Sequence, residues 1–342
     1  MLRWGILGTS FISDTMAEAI SASDGSRIEA VAGRDLQRLS DFSARHGIAK
    51  HYSGYDALLD DPAIDVVYVG LPNNMHHEAV LRAANKGKAV LSEKSLTTTM
   101  AEADTLAQAV RANGTFFLEG LMYLCHPVMA KAGEILQSDR LGAIRSVSGL
   151  YAADIWKFVN PMGKGTIFNL GCYPASLLHY VIQTACGQDV FSRRAITAFG
   201  NVSPHDGNIC DASLSVRFDN GVLATLQSTD SFGMSFAFSI HGERGTLRFL
   251  SNPWLPVAGE NRLELCEYGH APEEIVVSSD HDAFGHQVRL VENGLKAGLK
   301  EARRPAPRLA DSLEIMSLLS DWDEQARMSS VRSSVALLSP KS

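Results

Sequence analysis

Short apolar runs alternate with amphipathic segments in the first part of the chain. Residues 2–8 form an apolar strand that breaks at Gly8, and Phe11, Ile12 and Met16 then recur at the spacing of a helix. Further strands are predicted at 27–32, 51–53, 64–69, 89–91 and 115–118, and helices at 36–46, 55–59, 76–86 and 100–112. Alternation of strands with helices is typical of a doubly wound α/β domain, to which we assign residues 1–119.

The pattern changes after residue 119, where strands follow one another across tight turns. The strands predicted at 214–218 and 222–226 flank Asp219-Asn220-Gly221, and Asn-Gly favours the positive backbone angles of a primed hairpin turn. A second strand pair is predicted at 236–240 and 245–249, and helices at 127–137, 174–183, 287–296 and 309–325. Residues 120–342 are therefore predicted to form an α+β domain around a large, mainly antiparallel open sheet, with a frayed Ser-rich end.

Length, composition and net charge limit the classes of protein to which the chain can belong. A chain of 342 residues that is 45% apolar suits a globular protein with two cores. Its apolar runs are too short for a membrane span, and its first residues enter a strand rather than a signal peptide. A net charge of −7 without a long basic run argues against nucleic-acid binding. The five cysteines show no metal-ligand spacing, so we expect no metal, free thiols and a cytoplasmic location.

The turn between the first strand and the first helix is suited to a dinucleotide. A pyrophosphate needs unpaired amides at a helix N-terminus and small residues that let the backbone approach closely. Ser10 and Ser13 stand where such turns usually have glycines, and small residues are common between strands and helices, so the turn alone leaves cofactor binding open. The candidate cofactor-binding residues here are Gly8, Thr9, Ser10, Phe11 and Ile12.

The second strand ends in Gly33-Arg34-Asp35, with Arg38 one turn further on. A carboxylate at this place would bind the ribose hydroxyls of NAD, whereas a small residue followed by arginine leaves room for a 2'-phosphate and a charged partner for it. We therefore predict a preference for NADP, with NAD as the other candidate. Alternatively, Arg34 stacks on the adenine or is a solvated residue at a helix start that Asp35 caps.

The ends of two later strands carry further candidates. Leu71, Pro72 and Asn73 follow the strand at 64–69, where the ligand of an open parallel sheet lies, and His76 is either a cofactor contact or a capping, buried residue. The strand at 89–91 leads to Glu93 and Lys94. Such a lysine can orient a substrate hydroxyl and stabilise an alkoxide, with Glu93 as its anchor, whereas on an exposed loop the pair would be a salt bridge of little value.

Taken in order, these motifs resemble the Gfo/Idh/MocA oxidoreductase family. The strand-one turn, Pro72-Asn73-Asn74-Met75-His76 and Glu93-Lys94-Ser95 occur at family spacing, and the likeness extends through residues 120–127 and 165–174. The resemblance implies a substrate site that includes Lys94, Tyr123, His126, Asn169 and Tyr173. It also implies an acid-base catalyst at Tyr173, as in the branch of glucose-fructose oxidoreductase and dimeric dihydrodiol dehydrogenase.

Two positions depart from the family pattern. Asn169 replaces a carboxylate, which removes a negative charge beside the substrate, and Ser95 replaces a proline. Because a cis peptide before a non-proline residue costs roughly 3 kcal/mol, we expect a trans Lys94-Ser95 peptide and a slightly shifted Lys94. Tyr173 is a workable catalyst beside Lys94, since a nearby cation favours the phenolate; without the family spacing it would be a half-buried aromatic at a helix start.

The leading hypothesis is an NAD(P)-dependent oxidoreductase that acts on a sugar, cyclic polyol or related hydroxy or keto compound. The alternatives are a non-catalytic regulator that senses the cofactor and a glycoside hydrolase that uses tightly held NAD. The open sheet at 214–249 has one face that alternates Ser, Thr and apolar residues. We expect the chain to form a homodimer or a higher homo-oligomer through this face.

Overall fold

The computed structural model describes residues 1–332, so the Ser-rich end that we expected to fray lies largely outside the described residues. The chain divides into two compact units. The first contains Met1–His126, Val257–Gly259 and Ser279–Met316; the second contains Pro127–Pro256, Glu260–Ser278 and the segment from Ser317 onward. The functional division at residue 119, into cofactor and substrate domains, stays a prediction. No helix among the described residues is both long and apolar enough to cross a membrane.

The first unit contains a six-stranded parallel sheet. Its strands are β1 (Leu2–Leu7), β2 (Ser26–Ala32), β3 (Lys50–Tyr52), β4 (Val66–Val69), β5 (Ala89–Glu93) and β6 (Phe117–Gly120), in the order β3-β2-β1-β4-β5-β6. Its helices are α1 (Phe11–Ser21), α2 (Leu36–Arg45), α3 (Tyr55–Leu59), α4 (Asn73–Asn85) and α5 (Met100–Asn113). The predicted doubly wound fold is confirmed, and β4 and β5 are buried along their whole length because helices cover both faces.

The second unit contains a nine-stranded mixed sheet. Its strands are β7 (Ile144–Ala153), β8 (Arg194–Val202), β9 (Ile209–Phe218), β10 (Leu223–Thr229), β11 (Met234–Gly242), β12 (Gly245–Phe249), β13 (Gly259–Glu267), β14 (Glu273–Ser279) and β15 (Val331–Arg332). The order is β14-β13-β12-β11-β7-β10-β9-β8-β15, in which β10 pairs with β7 and β15 with β8 in parallel. Within residues 1–332, the remaining α-helices are α6 (Pro127–Gln137), α7 (Cys172–Ala185), α8 (Ala283–Lys296) and α9 (Leu309–Met328).

The hairpin between β9 and β10 differs from the expected primed turn. Gly221 has a φ of 87°, but Asn220 does not have a positive φ. The Gly221 amide donates to the Phe218 carbonyl at 2.9 Å, and the Phe218 amide donates to the Val222 carbonyl at 2.9 Å. This is the pattern of a three-residue hairpin in which one left-handed glycine closes a bulge, so the expectation for Asn220 is wrong.

Candidate active site

The turn after β1 brings backbone unusually close to backbone. Gly8 has a φ of 102°, and a Cβ atom there would lie 2.6 Å from the Gly70 carbonyl oxygen that follows β4. Ser10 precedes α1 without making a side-chain capping bond, and its hydroxyl instead donates to the Gly70 carbonyl at 3.2 Å. The first-turn amides of α1 are therefore not consumed by that serine. The turn has the close approach and the helix N-terminus that a pyrophosphate requires.

The segment after β2 presents Arg34 without a carboxylate partner among the described residues. Its guanidinium lies 5.9 Å from the centroid of the Tyr55 ring, and Nη2 lies 3.6 Å from the Met75 sulfur. Asp35 caps α2 by accepting from the Arg38 amide at 3.0 Å, as the alternative interpretation supposed. An arginine placed on an aromatic ring keeps its full capacity to bind a phosphate.

His76 is buried in α4 beneath the loops that follow β4 and β5. Its Nδ1 lies 2.8 Å from the Ser95 carbonyl oxygen, and its Nε2 lies 2.8 Å from the Leu71 carbonyl oxygen. Burial lowers the pKa of His76, while the two carbonyl contacts oppose that shift. The ring connects the two loops, and this favours the buried interpretation over a direct cofactor contact. Pro72 and Asn73 stand where α4 begins.

Glu93 anchors the end of β5. Its Oε1 accepts from the Tyr68 hydroxyl at 2.9 Å, and its Oε2 accepts from the Lys94 amide at 3.3 Å. Burial raises the pKa of Glu93, whereas the charge of Lys94 and the hydrogen bonds lower it. Glu93 is thus fixed from both sides directly before Lys94, rather than lying on a solvated loop.

The Lys94-Ser95 peptide is cis, so the expected trans peptide is wrong. The expectation considered only the intrinsic preference of a non-proline peptide. In the folded chain Ser95 is completely buried, and its carbonyl oxygen is the one that contacts His76. Tertiary contacts around Ser95 therefore override the local preference.

Glu119 is a buried acid that the sequence analysis did not select. It lies in β6, paired in register with Ser92 of β5, and is 2% exposed. Burial raises its pKa to about 7, and the neighbouring Glu93 carboxyl adds to the rise. The available signal was a carboxylate in an otherwise apolar parallel strand, which is costly unless the group is neutral or paired.

Tyr123 and His126 belong to the same unit as Lys94. Tyr123 is completely buried in a 3₁₀ turn, Met122–Cys125, and His126 is 1% exposed. The His126 ring meets the His286 ring edge-on, with 5.1 Å between centroids. Burial lowers the pKa of His126, so the ring favours its neutral form.

Asn169 and Tyr173 lie in the second unit, four residues apart. Asn169 occupies a π-helical segment, Ile167–Gly171, that runs directly into α7. The segment is tied to β10, because the Thr166 hydroxyl and the Ser228 hydroxyl lie 2.7 Å apart. Tyr173 is 7% exposed, and its ring packs edge-on against Tyr151 with centroids 5.2 Å apart. Residues four apart on a helix share a face, so Asn169 and Tyr173 can present their polar ends together.

Comparison with known proteins identifies the family of both parts of the chain. Residues 2–121 match the model of an oxidoreductase family with an NAD-binding Rossmann fold, and residues 129–248 match the Gfo/Idh/MocA C-terminal domain. Trans-1,2-dihydrobenzene-1,2-diol dehydrogenase of Sus scrofa is 28% identical over 341 residues, which cover 95% of this chain and 96% of that protein. The same enzyme of Xenopus tropicalis is 26% identical, with 94% and 97% covered.

Solved structures show the same architecture. A 3-ketoreductase from Actinomadura kijaniata, in complex with TDP-benzene and NADP, superposes with a TM-score of 0.80 at 25% identity, covering 97% of this chain and 98% of that one. Variants of that ketoreductase with a lysine changed to alanine and with a tyrosine changed to phenylalanine have also been solved. Levoglucosan dehydrogenase, in complex with NADH and levoglucosan, shares the fold with a TM-score of 0.77 at 19% identity. This chain therefore belongs to the Gfo/Idh/MocA family of NAD(P)-dependent oxidoreductases.

Proposed function

We propose that the chain transfers hydride between NADP(H) and a carbon that carries a hydroxyl or keto group in a sugar, cyclic polyol or related diol. The observation that carries the proposal is Lys94, held at the carboxyl end of β5 by the buried Glu93. In an open parallel sheet this edge is where a ligand lies, and the turn around Gly8 follows β1 of the same sheet. The bound nicotinamide supplies the hydride or accepts it.

Lys94 has the role of stabilising the substrate oxygen. As hydride leaves carbon, negative charge develops on that oxygen, and a fixed ammonium group lowers the energy of this charge without reorganisation. Glu93 contributes by fixing the Lys94 backbone, since its carboxyl accepts from the Lys94 amide. We assign Glu93 a positioning role.

Tyr173 has the role of moving the proton. In oxidation its phenolate takes the hydroxyl proton of the substrate, and in reduction its phenol returns that proton to the new hydroxyl. Asn169, four residues earlier, would hydrogen-bond the substrate or orient the phenol. If Tyr173 does not carry the proton, His126 is the next candidate.

The cofactor site is proposed along the edge formed by the loops after β1, β2, β4 and β5. Arg34 is the proposed partner of a 2'-phosphate, and this favours NADP over NAD. The remaining proposed members of the site are Gly8, Thr9, Ser10, Phe11, Ile12, Gly33, Arg38, Leu71, Pro72, Asn73 and Lys94 as contacts, and the buried His76 and Glu93 as residues that position these loops. His76 would act through the two loops that it connects.

Two further inferences concern assembly and location. The open face of the second sheet exposes Phe199, Leu223 and Ala237 among serines and threonines, and we infer that it forms a homodimer contact. The five cysteines are free thiols, and this supports a cytoplasmic location, which cell fractionation would test.

Single-turnover hydride transfer tests the catalytic assignment. Sugars, inositols and diols are first screened with NADP and NAD, and Lys94→Met and Tyr173→Phe are then compared with the unmodified protein on the best substrate. Each substitution should lower the rate by ~100-fold or more with little change in cofactor affinity, because each removes an interaction made in the transition state.

Tyr180→Phe is the matched control, since it makes the same chemical change further along α7. The Tyr180 hydroxyl donates to the Met129 carbonyl at 3.3 Å, so its loss should affect stability rather than rate. A Tyr173→Phe variant as fast as the control would move the proton transfer to another group, beginning with His126.

A further inference from the structure

Asp230 is a buried carboxyl group that faces Asn169. It follows β10 directly and is 3% exposed. Its carbonyl oxygen accepts from the Ile155 amide at 3.1 Å and from the Trp156 amide at 3.0 Å, so the backbone of Asp230 is fixed. The Asn169 side chain is near enough to this carboxyl to favour its charged form, which lowers the pKa of Asp230. The Thr166 and Ser228 contact binds the same two segments together, three residues before Asn169 and two before Asp230.

A second carboxylate is held beside Asp230. Asp211 Oδ1 accepts from the Thr229 hydroxyl at 2.6 Å and from the Ser231 hydroxyl at 2.5 Å, and these residues flank Asp230 in sequence. Burial raises the pKa of Asp230 to about 7, and the charges of Asp206 and Asp211 add to the rise. The adjacent thiol, Cys210, has a pKa raised to about 12, mainly by burial, so it stays neutral beside these acids.

We propose that Asp230 is a positioning residue that sets the orientation of the Asn169 amide for the reaction at Tyr173. An ionised carboxylate only accepts hydrogen bonds, so the amide must turn its NH₂ group toward Asp230 and its oxygen away. The amide oxygen is then available as an acceptor for a substrate hydroxyl or for the Tyr173 phenol. Asn169 and Asp230 together thus replace the single carboxylate that the family resemblance leads us to expect at position 169.

Protonation of Asp230 reverses this arrangement. A protonated carboxyl gains an O–H donor, which competes for the amide oxygen of Asn169. The productive orientation is therefore the one with Asp230 ionised, and activity should fall as the pH drops below about 7. The inference rests on the proposed function, since Asn169 matters to the reaction only if substrate binds beside Tyr173.

The test is the pH profile of kcat/KM from about pH 5 to about pH 9 for a set of full-length variants. Asp230→Asn should lower kcat/KM by ~10-fold and remove the acid limb. Asp206→Asn keeps Asp230 but removes a neighbouring charge, so it should move the acid limb to lower pH and keep the plateau. This surface variant also tests the idea if Asp230→Asn does not fold.

The exchange variant Asn169→Asp/Asp230→Asn separates positioning from packing. This variant has a carboxyl at position 169 and an amide at position 230, so it should recover most of the activity that Asp230→Asn loses. Asp219→Asn is the matched control: it neutralises an aspartate of the same unit at the β9–β10 turn, paired with Arg193 at 3.7 Å, and should leave the profile unchanged.

The inference is overturned if Asp230→Asn keeps the unmodified kcat/KM and acid limb, or if the exchange variant is no better than Asp230→Asn. Tyr173→Phe is measured alongside to separate the two proposals. A ~100-fold loss for Tyr173→Phe with an unaffected Asp230→Asn rejects only the role of Asp230. Unmodified rates for Tyr173→Phe reject the proton-transfer role of Tyr173, on which this inference rests.

Discussion

The two sheets of this chain bury their strands differently. In the six-stranded sheet every residue of β4 and β5 is buried, whereas β10 of the nine-stranded sheet alternates exposed and buried residues. A sheet covered on both faces can place functional side chains only at the ends of its strands, as we propose for Glu93 and Lys94. A sheet with an open face can use that face as well. The first sheet is therefore suited to a ligand at its edge, and the second also to a partner protein.

The largest expected effect concerns core packing. Leu91 in β5 is completely buried, and Leu91→Ala should lower the free energy of unfolding by about 2–5 kcal/mol because it leaves a cavity. Leu223 in β10 is 53% exposed in the single chain, and Leu223→Ala should change the free energy of unfolding by about 0.5 kcal/mol or less at protein concentrations where the chain is monomeric. Urea unfolding measures both. Because the open face is the proposed dimer contact, the Leu223→Ala loss should grow with protein concentration, whereas the Leu91→Ala loss should not; equal losses at every concentration would contradict the comparison.

Because the six-stranded sheet is covered on both faces, its buried Glu119 should also make the free energy of unfolding depend on pH. Its pKa rises from an ordinary 4.5 to about 7 in the folded chain, so the native state keeps a proton that the unfolded chain releases. Between these values the free energy of unfolding should fall as pH rises, by up to about 3 kcal/mol. Glu119→Gln stays neutral and should flatten this fall. Glu264→Gln, on β13, is the control and should leave the pH dependence of the free energy of unfolding unchanged. An equally unchanged pH dependence for Glu119→Gln would mean that another group causes it.

Two residues of β11 that lie on opposite faces of the sheet test the proposed dimer contact. Ala237 and Met234 both lie on β11, but Ala237 pairs with Leu150 on the open face, whereas Met234 has the opposite parity. Ala237→Glu should raise the dimer dissociation constant by ~10-fold or more, because a charge would be desolvated in the contact. Met234→Glu should leave it unchanged. Light scattering over a concentration series measures the dissociation constant of the dimer. If the unmodified protein is monomeric at micromolar concentration, the inferred homodimer is wrong.

The smallest expected effect lies at the edge of the first sheet. Arg34→Ala should weaken NADP(H) binding by ~10-fold and leave NAD(H) nearly unchanged, since only NADP(H) has a 2'-phosphate for the guanidinium. Fluorescence titration with each cofactor measures the difference. Equal weakening of both would indicate that Arg34 stacks on the adenine, as it now packs against Tyr55. Arg38→Ala, one turn further on, shows whether a second cation shares the phosphate.

Sequence pattern predicted the regular elements well where periodicity was strong. The predicted helices at 55–59 and 127–137 coincide with α3 and α6. The strands β7, β8, β13 and β14 were not individually assigned, because their mixture of polar and apolar residues follows the burial of a sheet whose partners are distant in sequence. The start of α4 at Asn73 instead of His76 is the usual uncertainty of a helix end.

The sequence by itself determined the doubly wound domain, the tight turn after β1 and the place of Glu93 and Lys94 at a strand end, because these depend on local periodicity and on residue types at strand ends. Only the tertiary structure decided the cis Lys94-Ser95 peptide and the two buried acids, Glu119 and Asp230. Loss of water and the approach of distant charges set the pKa values of these acids, and neither is visible along the chain. The juxtaposition of Asp230 with Asn169 likewise exists only once β10 packs against the π-helical segment.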